Sequence, residues 1–333
     1  MLSKNRIYII LLILVATIFY SSIFACGAEI SWRLGGKHNV GTPETLMEEY
    51  FANFVNERTE GKMEIIVYPA NQLGDEVTQV ENLSMRIQDV FCDTISDMRA
   101  LIPEYAIFTA AYAFADNDHI KRFYDSDVYM EMENRLLRDG GVRVLAKEMW
   151  RLPRVVLTKR PAATVEDLKG IIFRLAANKL SFAIWEAIGT SPIEIPWAET
   201  YSAVDSGLVD GLESPIDSIY GMGFHRVAPY ILMTNHVLGP PFAIMVNEKS
   251  FQDLPEEIKI IVKEAAEKAE NYYVELVFSD IDKMKEELIS EGAVFTENVD
   301  TRKAAEMSSF AVRKLEKEGE WQEGLFDFIL SLR

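Results

Sequence analysis

The 333-residue chain is poor in the residues from which metal centres, disulfide frameworks and nucleophilic active sites are built. It has two cysteines, Cys26 and Cys92, so it cannot carry a disulfide scaffold. Its four histidines, His38, His119, His225 and His236, are widely separated, and none shows the short spacing of metal ligands. No Gly-x-Ser-x-Gly elbow is present, which removes one common route to covalent hydrolysis. Positive charge is also scarce. Against 52 Asp and Glu stand 34 Lys and Arg, a net charge of −18, and such a surface argues against nucleic acid or an anionic lipid face as partner. It leaves a small organic anion open, because a local arginine pocket overrides the global sign. Low-complexity tracts and Gly-Ser or Pro-rich linkers are absent as well. A chain this long exceeds one ordinary core, so two domains are expected. Joined without a floppy tether, they suit closure around a ligand.

What is there begins with a basic, apolar, then small-residue N-terminus. Lys4 and Arg6 precede an uncharged run from Ile7 to Ile23, followed by Ala25, Cys26, Gly27 and Ala28. This is the pattern of an export signal over residues 1–28, and it predicts a periplasmic destination. Ile23-Phe24-Ala25-Cys26 also resembles a lipobox, which would place a lipid on Cys26, although Phe24 is bulky for its position. Cleavage after Ala28 is the alternative. Cys92 sits in an apolar run and reads as a small buried hydrophobe.

The mature chain alternates short apolar runs with helical periodicity. Strands are expected at Ile30 to Leu34, Met63 to Tyr68 and Asp89 to Thr94. Between them lie a helix opened by Thr42-Pro43 and another opened by Asp75. This βαβαβ opening predicts a mostly parallel sheet with helices on its faces. A helix is expected near His119 to Leu137, with strands at Val142 to Met149 and Arg154 to Lys159. A second series follows through Ile171 to Leu175, the helix Asn178 to Ile188 and Ser191 to Ile195. Further strands are read at Tyr230 to Thr234 and Phe242 to Asn247, before a long helical run from Leu254 to about Glu291.

The most informative residue is Arg174. It closes the apolar run Gly170-Ile171-Ile172-Phe173, and no acid within that run could neutralise it. Buried Arg is rare unless paired. Either its head reaches water or an anion from outside the chain completes the site. A guanidinium fork fits a carboxylate bidentately, which a lysine cannot do. The loop Lys37, His38 after the first strand and Thr94 at the end of the third lie where doubly wound sheets collect ligands.

The segments "YPANQLGDE", "LKGIIFR", "GTSPIEIPWAETYSAVDSGLVDGLESP", "YILMTNH" and "FQDLPEEIKIIVKEAAEKA" occur in the order found in solute-binding proteins of tripartite ATP-independent periplasmic (TRAP) transporters. The chain resembles that DctP-type family over essentially its whole mature length. The resemblance implies a two-lobed α/β fold of the Venus-flytrap kind, type II-like, with a mixed sheet in each lobe and a long inter-lobe helix. Lobe I would hold residues 29–150 with 240–279, and lobe II residues 151–239 with 280–333. It implies a monomeric receptor without catalysis or cofactor, handing a small organic acid to a small and a large membrane subunit. Arg174 falls on the carboxylate-clamping position, and Arg154, rather than the nearby Arg151, on a second ligand contact. Trp197 matches an aromatic that lies against the ligand. Ser214 stands where many relatives have Asn, "LESP" replacing "QENP", so it is a weaker polar contact. Lys37, His38 and Thr94 would face from lobe I, Phe242 from the hinge side, and His236 would orient backbone near the hinge. Two other classes stay open: an exported α/β enzyme acting on a small carboxylate, and a ligand-sensing lipoprotein.

Overall fold

The computed structural model describes residues 28–279 and 281–333. Most of the export segment, with Cys26, lies outside the described residues. Eleven strands are described: β1 (Ile30–Gly35), β2 (Met63–Tyr68), β3 (Val90–Thr94), β4 (Val142–Met149), β5 (Arg154–Thr158), β6 (Ile172–Leu175), β7 (Ser191–Glu194), β8 (Gly211–Pro215), β9 (Tyr230–Val237), β10 (Phe242–Asn247) and β11 (Val294–Thr296). They form two mixed sheets, one ordered β2-β1-β3-β10-β4 and one ordered β11-β9-β5-β8-β6-β7.

Local chemistry sets most of these elements. The helix Pro43–Arg58 starts where Thr42 accepts a hydrogen bond from the Thr45 amide and Pro43 occupies the first turn. Asp75 caps Glu76–Ser84 in the same way. The two helices carry β1 to β2 and β2 to β3, and the three strands pair in parallel. In the second sheet Asn178 caps Lys179–Ile188, and Gly189, at φ 105°, ends it. Alternate residues of each strand face opposite sides. Phe91 and Met245 therefore join Phe173 and Leu232 in one apolar cluster, while Val90 and Ile244 join Leu212 and Ile231 in the other.

Three expectations change. The single helix near His119 to Leu137 is two, Asn117–Tyr124 and Asp127–Gly140, because Ser126 caps a fresh start by accepting from the Tyr129 amide. The helical run after Leu254 is built as Glu256–Phe278 and Ile281–Ser290. The first packs on Pro43–Arg58 and β4, the second on the helix Ile216–Met222 that follows β8. The third change is β8 itself, which the sequence reading left out. Its Gly, Glu, Ser and Pro carry no strand pattern, yet it lies between β5 and β6 in the middle of the sheet.

The chain passes from the first sheet to the second between β4 and β5 and returns between β9 and β10. These two crossing segments touch. A Cβ on Gly239 would stand 2.6 Å from the Leu152 carbonyl oxygen and 2.8 Å from the Arg151 Cβ, so only glycine fits. The crossings bring the ends of the two sheets together around one enclosed space.

Candidate ligand-binding site

That space lies between the sheets and offers about 60 Å³ to the centres of water molecules. A single buried water needs about 10–15 Å³ by the same measure, so the cavity suits a small organic molecule. Seven of the eight residues expected to bind ligand line it: Lys37, His38, Thr94, Arg154, Arg174, Trp197 and Ser214. Phe242 does not. It is fully buried behind His38, edge-on at 5.8 Å, and stacks on Tyr273 at 5.4 Å.

Arg174 reaches the cavity because β6 turns Phe173 and Leu175 into the core and sends the residue between them the other way. It is only 4 % exposed. Its Nε donates to the Ile195 carbonyl oxygen at 2.9 Å, its Nη2 has no partner among the described residues, and its guanidinium sits 5.5 Å from the centre of the Trp197 ring. Among the described residues no carboxylate lies within salt-bridge distance. Burial drags its pKa down to about 10, while Glu76 acts to raise it.

Arg154 is differently placed. Its Nη1 donates to Glu213 Oε1 at 2.7 Å, across the antiparallel β5–β8 pairing. The second oxygen of Glu213 bonds His236 Nε2 at 2.9 Å, and His236 Nδ1 meets Thr234 Oγ1 at 2.8 Å. Burial pushes the Glu213 carboxyl up, but Arg154 and His236 outweigh it and hold its pKa at about 2. The β5–β9 register slips between Arg154 and Val156, and Asn235 adopts φ 44° within that bulge. Bulges re-aim side chains, and here the imidazole is delivered to Glu213. This corrects the expectation for His236: its ring binds two side chains, not the backbone.

Ser214 and Trp197 each leave a buried polar atom, Oγ and Nε1, without a partner among the described residues. Such atoms cost stability unless something bonds them, and both line the cavity. On the opposite wall His38 is buried, with Nδ1 3.6 Å from Glu44, and burial next to Lys37 and Arg151 holds its pKa well below the usual value, so it is neutral. Lys37 Nζ lies 2.7 Å from Asp93 Oδ1. Burial disfavours that ammonium, but Asp93, Asp97 and Glu76 together raise its pKa. Thr94 Oγ1 donates to Asp97 at 3.2 Å and so serves the wall's own network.

The sequence reading sets Arg151 aside in favour of Arg154, yet the structure brings both to the cavity. Arg151 is 3 % exposed, and donates from Nη2 to Ser218 Oγ at 2.9 Å and to Glu44 Oε1 at 3.3 Å. Its companion Arg160 is on the surface. Arg154 also lines the cavity, but its guanidinium is already tied to Glu213. Glu76, Asp97, Arg99 and Trp185 were unforeseen as lining residues. Nothing local marks them, because each comes from an element whose neighbours across the cleft are far away in sequence.

Comparison with known proteins agrees with this geometry. The chain matches the family model for bacterial extracellular solute-binding protein, family 7, over residues 34–318. It is 26 % identical to the sialic acid-binding periplasmic protein SiaP of Vibrio cholerae, over 80 % of this chain and 82 % of that one. It is equally 26 % identical to the 2,3-diketo-L-gulonate-binding periplasmic protein YiaO of Escherichia coli, covering 77 % and 79 %. In fold it is similar to a TRAP periplasmic solute-binding protein from Roseobacter denitrificans solved with L-galactonate, with a TM-score of 0.83 at 23 % identity, covering 92 % of this chain and 99 % of that one. A similar protein from Sulfurospirillum deleyianum, solved with succinate, gives 0.81 at 24 % identity, covering 92 % and 100 %. A two-sheet α/β fold closed over a cavity with an unmatched buried arginine, and a family match along most of its length, make this chain a member of the DctP-type solute-binding proteins of TRAP transporters.

Proposed function

We propose that the chain is an extracytoplasmic receptor that captures an organic acid, with its carboxylate held by Arg174, and delivers it to the two TRAP membrane subunits. The observation that carries this reading is the Arg174 guanidinium, buried and facing the cavity with no carboxylate of the described residues within salt-bridge distance. An unpaired buried charge is strongly disfavoured, so a carboxylate arriving there meets a site already oriented by the Ile195 carbonyl. Trp197 and the unpartnered Ser214 hydroxyl supply an apolar face and a polar contact for the ligand body. Relatives of similar fold were solved with L-galactonate and with succinate, both carboxylates, which supports the same ligand class. In this reading the lobes are residues 29–150 with 240–279 and 151–239 with 280–333, and they close on the ligand as a monomer.

Native mass spectrometry of freshly purified protein tests the reading. The expected result is a bound small organic acid that is released on unfolding and is absent from Arg174→Ala. Loss of one charge-assisted fork corresponds to a weakening of about 30- to 1000-fold. An Arg174→Ala protein that retains the acid at wild-type occupancy overturns it.

A further inference from the structure

Five cationic side chains line the cavity, and four of them already have a carboxylate. Lys37 has Asp93, Arg99 has Asp97, Arg151 has Glu44 and Arg154 has Glu213. Arg174 alone is unmatched among the described residues, and its Nη2 is a buried donor without an acceptor. The facing wall has the opposite excess. There Lys37 is shared by three carboxylates, with Glu76 at 3.8 Å and Asp97 at 3.9 Å beyond the close Asp93. Glu76 opens the helix Glu76–Ser84, lines the cavity, is 13 % exposed, and accepts no hydrogen bond from the described residues. Once burial is counted, Glu76 is also the charge that acts most strongly on Arg174. The cavity therefore presents, on opposite walls, one cation with no carboxylate partner and one carboxylate that shares its only cation, Lys37, with two others.

We propose that the ligand is a zwitterion, an amino acid whose carboxylate sits on the Arg174 fork and whose ammonium faces Glu76. This rests on the Arg174 reading above and specifies the other end of the molecule. A plain monocarboxylate satisfies Arg174 and leaves Glu76 with only a distant share of Lys37, 3.8 Å away. A dicarboxylate adds like charge beside Glu76, which low dielectric makes worse. An ammonium supplies donors and charge together, so both ends of the cavity are neutralised in the closed state. Between the two ends Trp197, Trp185, Ile184 and Leu175 accommodate a short apolar body.

The test is a calorimetric and thermal-shift comparison of acids that share a carboxylate and differ at the other end. The probes are alanine against lactate, and γ-aminobutyrate against γ-hydroxybutyrate, valerate and succinate, with β-alanine, butyrate and malonate as the intermediate length. Each is measured on wild type, Glu76→Gln and Arg174→Ala. In at least one length the amino acid is expected to bind about 10-fold or more tighter than its hydroxy, methyl and dicarboxylate counterparts. Glu76→Gln should erase that preference, with the methyl-ended acid binding as tightly as before or tighter, since a negative charge near the carboxylate site is gone. A hydroxy acid or dicarboxylate that binds as tightly as the amino acid overturns the proposal. So does a preference that survives Glu76→Gln, or an amino acid series in which no member binds. If the preference fails while Arg174→Ala still abolishes binding of the other acids, the anchor stands and only the zwitterion falls. Acid binding that survives Arg174→Ala removes the anchor itself.

Discussion

Replacing Glu213 by Gln keeps the shape of the side chain and removes its charge, and the consequences can be worked through from its two partners. In the folded protein the Glu213 carboxylate accepts from Arg154 at 2.7 Å and from His236 at 2.9 Å, and its side chain is 14 % exposed. Its pKa falls from the usual 4.5 to about 2. A carboxylate with a depressed folded pKa adds stability that is fully present above the unfolded value and is lost as pH falls through the folded one. A drop of this size corresponds to about 3 kcal/mol. Wild type is therefore expected to exceed Glu213→Gln by about 3 kcal/mol at pH 7. The gap should begin to shrink below about pH 4.5 and be nearly gone near pH 2. Urea unfolding followed by circular dichroism across a pH series measures it. Every other carboxylate titrates in both proteins, so the difference isolates Glu213. A gap that stays constant with pH, or a variant as stable as wild type at pH 7, refutes the assignment of Glu213 as the charge that holds Arg154.

Two further outcomes are expected elsewhere in the fold. Glu48 is fully buried with neither oxygen bonded by the described residues, and burial beside Glu44 and Asp93 pushes its pKa well above the ordinary value. The folded protein then keeps a proton that the unfolded chain releases above about pH 4.5, so Glu48 costs stability as pH rises; Glu48→Gln should exceed wild type at pH 7 by roughly 1–3 kcal/mol and match it near pH 4, as read by urea midpoints. Gly239→Ala would force a Cβ to within 2.6 Å of the Leu152 carbonyl oxygen, so it should destabilise by about 1–3 kcal/mol, seen as a lower Tm, because backbone and not a flexible side chain must yield.

Much of the architecture is legible in the sequence. Thr42-Pro43, Asp75 and Asn178-to-Gly189 punctuate helices through bonds that reach only three or four residues, so the local sequence suffices to place them. The apolar run ending in Arg174 announced both a buried strand and a charge in need of a partner, and that residue does face the cavity. The tertiary structure alone decided which charges were already taken. Arg154 and Glu213 are 59 residues apart, His236 and Glu213 are 23 apart, and Arg151 and Glu44 are 107 apart. The first two form only when β5, β8 and β9 lie side by side in one register, and β8 shows no strand pattern of its own, while the third needs the β4–β5 crossing to meet the helix Pro43–Arg58. Caps and periodicity act over a turn or two of chain, whereas matching a buried charge depends on which strands become neighbours. Arg174 could therefore be picked out along the chain, while only the packed sheets showed that the other four cations of the cavity each have a carboxylate beside them.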